Sequence, residues 1–127
     1  MRGRSGPTYP NAILDYAFSI GPPFSYLSES SMIFCLMDVE EWDSRRHESL
    51  VAVAGPEGFV HCCDEPQIGF VREGYFPTGS TVVALSLDPS ALDSETRYEP
   101  GSGGESERFP HVYGSIRRTD VVEVIVL

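Results

Sequence analysis

Short apolar runs alternate with polar segments from residue 32 to the end of the chain. Five of these runs are either continuously apolar or rich in β-branched residues, a pattern typical of buried or half-buried strands. They are MIFCLM (32–37), GFVHCC (58–63), STVVALSLD (80–88), FPHVYG (109–114) and DVVEVIVL (120–127). The pattern therefore predicts five strands, and the run at 80–88 is the clearest of them.

Two helices are predicted between the first three strands. Asp38, with Glu41 three residues later, is an acidic form of the capping signal and predicts a helix over residues 39–50. Asp64 is predicted to cap a second helix that has Pro66 in its first turn. The apolar face of that helix is predicted to carry three residues at helical spacing, Ile68, Val71 and Tyr75.

The remaining segments complete the predicted order of elements. DPSAL (88–92) is expected to form a single helical turn, and the polar stretch over residues 93–108 is expected to be a loop. The helices then come early and the strands late, which favours an α+β fold over a parallel doubly wound sheet.

The first 30 residues differ from the rest because they are rich in Gly, Pro and Ser. They predict an extension that wraps the domain or acts as a lid, since its aromatic residues need a surface to pack on. A disordered tail is the alternative for the first ten positions. Residues 31–127 are predicted to form one α+β domain, which is long enough to bury a core.

Charge and cysteine content narrow the possible partners. Nine basic and nineteen acidic residues give a formal net charge of −10, which disfavours nucleic acid and anionic membranes. No stretch reaches the ~20 apolar residues that span a bilayer, and the amino terminus lacks the sustained apolar region of a secretory signal. Three cysteines, two of them adjacent, suggest no disulfide framework, so a cytoplasmic protein with reduced thiols is predicted.

Strand alternation separates the two adjacent cysteines. In an extended GFVHCC segment, Phe59, His61 and Cys63 share one face and Cys62 lies on the other. Metal sites need three or four ligands at recognisable spacing, and no C-x-x-C, H-x-x-x-H or H-x-H motif is present, so no metal is predicted. Cys63 is expected to be a small side chain in the wall of the pocket. For its thiol to be an activated thiolate, it would have to be exposed beside His61.

The FPHVYG segment places a second histidine on a strand. Phe109, His111 and Tyr113 share a face there by the same alternation. Two histidines on strands, one beside a tyrosine, are a set of groups that could serve acid–base catalysis. The alternative is that each histidine is a strand residue whose ring bonds a backbone carbonyl.

The TRYEP segment adds a cation and a carboxylate. If it is extended, Arg97 and Glu99 share one face. Arg97 is suited to anchor a carboxylate or phosphate, and Glu99 to act as a base or to orient a hydroxyl. An Arg–Glu surface pair is the alternative.

Five motifs in order resemble a known family. IFCLMDVEEW, EGFVHCC, VVALSLDPSAL, RYE and FPHVYGSI, within residues 32–127, are similar to the bacterial family called domain of unknown function 952. The resemblance implies a small ADP-ribosyltransferase-like fold with a mixed or antiparallel sheet, and the FVHCC strand is similar to one in the NAD-handling half of RNA 2′-phosphotransferases. Cys35 stands where that family commonly has His or Lys, and Cys63 where a Ser is usual.

The resemblance implies a pocket and the residues suggest its chemistry. The predicted catalytic residues are His61, His111, Tyr113 and Glu99, and the predicted substrate contacts are Arg97, Cys63, Cys35, Phe59 and Phe109. NAD is implied only by the resemblance, because no glycine-rich phosphate loop follows a strand. A small-molecule substrate is expected, and a homo-oligomer is left open.

Three functions agree with this pattern. The first is metal-free group transfer on a nucleotide- or glycosyl-like substrate, as the resemblance implies. The second is a cofactor-free cyclase, isomerase or lyase of a biosynthetic pathway, which needs only a positioned acid and base. The third is a non-catalytic domain that binds a ligand or a partner.

Overall fold

Strands and helices follow one another closely in the computed structural model, which describes residues 32–101 and 106–127. The predicted extension over residues 1–30 lies outside the described residues. The strands are β1 Ile33–Asp38, β2 Leu50–Ala52, β3 Val60–His61, β4 Val82–Leu87, β5 Thr96–Pro100, β6 Arg108–Val112, β7 Ile116–Arg117 and β8 Val121–Val126. The helices are α1 Val39–Arg45 and α2 Ile68–Tyr75, with 3-10 turns at Glu65–Gln67, Pro89–Ala91 and Arg118–Asp120.

Strand β4 is the centre of the first sheet, which has the order β1-β4-β8 with antiparallel pairing throughout. All six residues of β4 are buried, because both faces of the strand are covered by other parts of the fold. A strand covered on both faces is expected to be continuously apolar rather than alternating. This explains why VVALSL was the clearest strand signal in the sequence.

The second sheet has the order β3-β6-β5, again antiparallel, and a short β2-β7 pair forms a third. An isolated bridge joins the first sheet to the second. The backbone N–H groups of Phe34 and Cys63 each donate to the other residue's carbonyl at 2.8 Å. The chain after β3 therefore runs directly beside β1.

Two apolar clusters form the core on opposite sides of these strands. One contains Cys35 and Cys62 together with Leu85 and Val112. The other contains Phe34, Cys63, Ala84, Phe109 and Ile125, and Ile68 and Val71 of helix α2 pack against it. Neighbouring residues of an extended chain point to opposite faces, so the prediction that Cys62 and Cys63 diverge is confirmed.

The first helix begins as predicted and ends early. Asp38 accepts a hydrogen bond from the backbone N–H of Glu40 at 2.9 Å, which caps α1. The prediction that the helix continues to residue 50 is wrong, because Leu50–Ala52 is strand β2, paired with β7. The pairing of these two short strands outweighs the helical preference of residues 46–50.

Two other boundaries differ from the sequence prediction. Asp64 precedes the 3-10 turn Glu65–Gln67, and the α-helix itself starts at Ile68. The prediction of a loop over residues 93–108 is wrong for Thr96–Pro100, which pairs with β6 as strand β5. Its side chains are polar because they are mostly exposed at the edge of the sheet.

The α+β class with two short helices is confirmed for the described residues. The likeness to ADP-ribosyltransferases stays a prediction. Among the described residues no helix is both long enough and apolar enough to cross a membrane. That nucleic acid is not a partner likewise stays a prediction, and the homo-oligomer stays untested.

Strand β4 should carry much of the stability of the fold. We expect Leu85→Ala to lower the free energy of unfolding by about 2–5 kcal/mol, because Leu85 is fully buried and its loss leaves a cavity. The control Val122→Ala, at an exposed position of β8, should change it by less than about 0.5 kcal/mol. Urea unfolding followed by circular dichroism measures both, and equal effects would contradict the assignment.

Candidate functional site

One face of the second sheet collects the predicted site residues. Across β3, β6 and β5, His61 and Arg97 both stand opposite His111, and residues that are directly opposite share a face. Residues two positions away along each strand share it too. The face therefore carries every predicted site residue except Cys35, namely Phe59, His61, Cys63, Arg97, Glu99, Phe109, His111 and Tyr113.

Glu99 holds two of these side chains with one oxygen. Its Oε1 lies 2.8 Å from His111 Nδ1 and accepts the Tyr113 hydroxyl hydrogen at 2.7 Å. An ionised carboxylate only accepts hydrogen bonds, so His111 Nδ1 carries the proton and Nε2 keeps its lone pair in the neutral ring. Hydrogen bonds from His111 and Tyr113 hold the pKa of Glu99 below its usual value. The bond to Glu99 in turn raises the pKa of Tyr113.

Phe59 fixes the plane of the His111 ring. The two rings stack with centroids 4.0 Å apart and an angle of 12° between their planes. Only 3% of His111 is exposed, and its Nε2 is buried without a hydrogen-bond partner among the described residues. A buried polar atom left unpaired is costly, so this nitrogen is the most unusual feature of the face.

His61 is the more exposed of the two strand histidines. Its side chain is 53% exposed, and its Nε2 lies 3.3 Å from Glu57 Oε2. The ring meets the His111 ring edge-on, with centroids 5.2 Å apart. The sequence analysis gave Glu57 no role at this site. The available signal in the sequence was Gly58, the residue after Glu57. Its φ of 93° is one that glycine adopts readily, and the turn returns the chain toward β3.

A cavity of about 250 Å³ opens beside this face. Its walls are mainly apolar side chains from β1, from helix α2 and its end, and from β6. The lining residues are Phe34, Leu36, His61, Cys62, Cys63, Val71, Tyr75, Phe76, Gly101, Phe109 and His111. None of these described lining residues is Lys, Arg, Asp or Glu, so the histidines are its ionisable nitrogen groups.

Several wall residues were not predicted as site residues. Phe34 and Leu36 occupy alternate positions of β1, and this period of two was the signal that could have found them. Val71 and Tyr75 were predicted only as the apolar face of a helix. That face does point toward the site, and it packs there instead of in the larger core cluster.

Arg97 and Tyr113 lie beyond the described lining of the cavity. The Arg97 guanidinium stacks over the Tyr113 ring at 4.4 Å and forms an ion pair with Glu95, with Nε to Oε2 at 3.1 Å. Tyr113 directs its hydroxyl to Glu99. It stays a prediction that Arg97 contacts a substrate and that Tyr113 has a catalytic role.

The three cysteines lie in the apolar core, and two of them also line the cavity. Cys63 lines the cavity but is only 1% exposed, and burial raises the pKa of its thiol to about 12. A hydrogen bond with Cys35, together with burial, raises the pKa of Cys62 well above its ordinary value. Cys35 belongs to the opposite core cluster and is not one of the lining residues. The environments of Cys62 and Cys63 oppose thiolate formation.

Among residues 32–101 and 106–127, no three His, Cys, Asp or Glu side chains form a group that could hold a metal ion. This face presents two imidazoles at an apolar cavity, and a carboxylate that bonds one of them and a tyrosine. Such groups can orient a ring nitrogen and transfer a proton.

Comparison with known proteins shows the family. The sequence model described as "Protein of unknown function (DUF952)" matches residues 36–124, so the chain belongs to this family, as the five motifs predicted. No curated protein sequence matches the chain at a significant level.

Two similar solved structures are of protein CC0527 from Caulobacter crescentus. The first is 22% identical with a TM-score of 0.64, and a double mutant of it is 21% identical with a TM-score of 0.63. Each match covers 76% of this chain and 86% of that chain. At this level of identity the likeness shows the fold alone.

The Glu99 hydrogen bonds should make stability depend on pH. Because the folded pKa of Glu99 is lowered, its contribution is fully present above the unfolded pKa, about 4.3. It is lost as pH falls through the folded value. The difference in unfolding free energy between wild type and Glu99→Gln should therefore be largest near pH 7 and shrink below about pH 5. Urea titrations across this range, with Glu73→Gln as a surface control, measure it. A difference independent of pH would refute the linkage.

Buried thiols with raised pKa values should react slowly. At pH 8 we expect the folded protein to react with Ellman's reagent at least about tenfold more slowly than the protein unfolded in urea. All three cysteines are buried, so the unfolded chain should release three equivalents. Rapid reaction of one equivalent in the folded state, removed by Cys63→Ser, would show that Cys63 is activated instead.

Proposed function

We propose that this DUF952 protein is a cofactor-free acid–base enzyme in which His111 moves a proton within a small neutral substrate. One observation carries the proposal. His111 lines an apolar cavity and is nearly fully buried; its Nε2 has no partner among the described residues, while its Nδ1 is held by a carboxylate. A strand histidine kept only for structure would be expected to have both ring nitrogens paired or exposed to solvent.

The hydrogen bond to Glu99 suits His111 to act as a base. It fixes the tautomer that leaves a lone pair on Nε2, and it stabilises the imidazolium formed after proton transfer. Phe59 restricts rotation of the ring. His111 then takes a proton from an acidic C–H or O–H of the substrate and returns it to another atom of the same molecule. No co-reactant is needed for this balance.

His61 is the second group in the proposal. It also lines the cavity, but its side chain is more than half exposed and near Glu57. A histidine in this position can exchange protons with water while the substrate is bound. We assign His61 to proton exchange at the cavity mouth and His111 to the transfer inside.

Group transfer from NAD is supported less well. Phosphate groups are usually held by Arg, Lys or a helix amino terminus, and the described lining carries no Arg or Lys. Arg97, the predicted anchor, is paired with Glu95 and stacked on Tyr113. Isomerisation, cyclisation or elimination requires only the proton transfer that the histidines can supply.

A chromogenic proton-transfer probe tests the proposal without knowledge of the natural substrate. The probe is 5-nitrobenzisoxazole, a neutral bicyclic molecule. A base removes its ring C–H proton, the electron pair forms a nitrile, the N–O bond breaks and the oxygen leaves as a coloured phenolate. At pH 7 the wild type should convert it about 10²-fold faster than an equal concentration of imidazole, and His111→Gln should return the rate to that of imidazole.

Two further variants separate catalysis from folding. His47→Gln is the matched control, because His47 is exposed and outside the cavity, and it should keep the wild-type rate. Glu99→Gln can keep an oxygen that accepts from Nδ1 but removes the negative charge that stabilises the imidazolium, so it should lower kcat roughly tenfold or more with little change in KM. Wild type that binds the probe but converts it no faster than imidazole would overturn the proposal and favour a ligand-binding domain. So would a fully active His111→Gln.

A further inference from the structure

We infer that the ligand of this cavity is a neutral molecule with a one- or two-ring planar body and one acidic O–H or C–H group directed at His111. This substrate class rests on the proposed function, since it takes His111 Nε2 to be the group that meets the reacting atom. It also follows from three separate properties of the cavity: its walls, its size and its charge.

The walls favour a planar apolar body. Phe34 and Phe109 are both buried beside Cys63 in one apolar cluster, and both line the cavity. Phe109 is further supported from outside by the stacked ring of Phe70, at 6.0 Å between centroids. Tyr75 and Phe76 add aromatic surface from the end of α2. Aromatic walls make their best contacts with flat ligands, in stacked or edge-on geometry.

The size limits the body to one or two rings. A dry engineered cavity of about 150 Å³ accommodates benzene, and the cavity here is about 250 Å³. Drug-sized ligands occupy pockets of about 300–1,000 Å³, so a dinucleotide would have most of its surface outside. One ring with substituents, or two fused rings, fills the space beside His111.

The charges favour a neutral ligand that donates. An anion placed in the cavity would meet no Lys or Arg of the described lining, and the carboxylates of Glu99 and Glu57 stand beside the two histidines. Burying an unpaired charge is costly. By contrast, the lone pair on His111 Nε2 has no partner within residues 32–101 and 106–127, and an O–H or acidic C–H group would supply one. A ligand without a donor leaves that atom unpaired.

A set of matched probes tests this class by binding alone. 4-Methylphenol has an O–H that can donate a hydrogen bond, and 4-methylanisole has a methyl ether in its place. 4-Methylbenzoate is anionic and 4-methylbenzylamine is cationic. Titration calorimetry at pH 7 should find 4-methylphenol bound about tenfold or more tightly than each of the others. In His111→Leu the preference of 4-methylphenol over 4-methylanisole should fall to about one. Tighter binding of the benzoate or the amine, or equal binding of phenol and anisole by wild type, would overturn the inference.

A cavity-filling variant locates the binding. Val71→Phe places a ring in the cavity wall, and it should lower the affinity for 4-methylphenol at least about tenfold. Val122→Phe makes the same change at an exposed position of β8 and should leave the affinity unchanged. If both variants bind like wild type, the ligand lies elsewhere and the inference fails.

The binding and turnover results fail independently. If 4-methylphenol is preferred but 5-nitrobenzisoxazole is not converted, the ligand class stands and the catalytic function is wrong. If the probe is converted through His111 but the charged ligands bind more tightly, the function stands and the neutral class is wrong.

Discussion

The backbone bridge between Phe34 and Cys63 is the contact on which the rest of the arrangement depends. It holds the end of the histidine strand against the first strand of the other sheet. Once this pair is set, the period of two decides the destination of every neighbouring side chain. Phe34 and Cys63 turn to the smaller apolar cluster, while Cys35 and Cys62 turn to the larger one. A shift of one residue would exchange these sets and bury His61 in the wrong layer.

In the polar network on the second sheet, Glu99 is hydrogen-bonded but one nitrogen of His111 is not, within the part of the chain that the structure describes. Glu99 has two donors, His111 and Tyr113, and its lowered pKa reflects them. The far nitrogen of His111 has no donor or acceptor among the described residues. Local rules of polar pairing are commonly broken where a ligand or reaction completes the pairing. The stacked ring of Phe59 keeps the histidine from rotating toward another partner.

The face of the site could be predicted from sequence, and the cavity could not. Period-two alternation predicted which residues share a face within each of three short segments, and the family resemblance implied that His61, Glu99 and His111 meet in one pocket. The structure brings them to one face because antiparallel pairing keeps opposite residues on the same side. The part of the wall formed by Val71 depends on where helix α2 packs against the strands. No local pattern contains that information. Strand β7 is only two residues long, which is too short for any periodicity to be seen.

Chemistry and shape come from different parts of this chain. The two imidazoles and the Glu99 carboxylate are held on β3, β5 and β6, whereas part of the cavity wall comes from helix α2, none of whose residues is fully buried. Substitutions at its inward positions alter the outline of the cavity while the hydrogen bonds of Glu99 stay in place. In a chain built in this way, the shape of the cavity and the hydrogen bonds of its histidine face can vary separately.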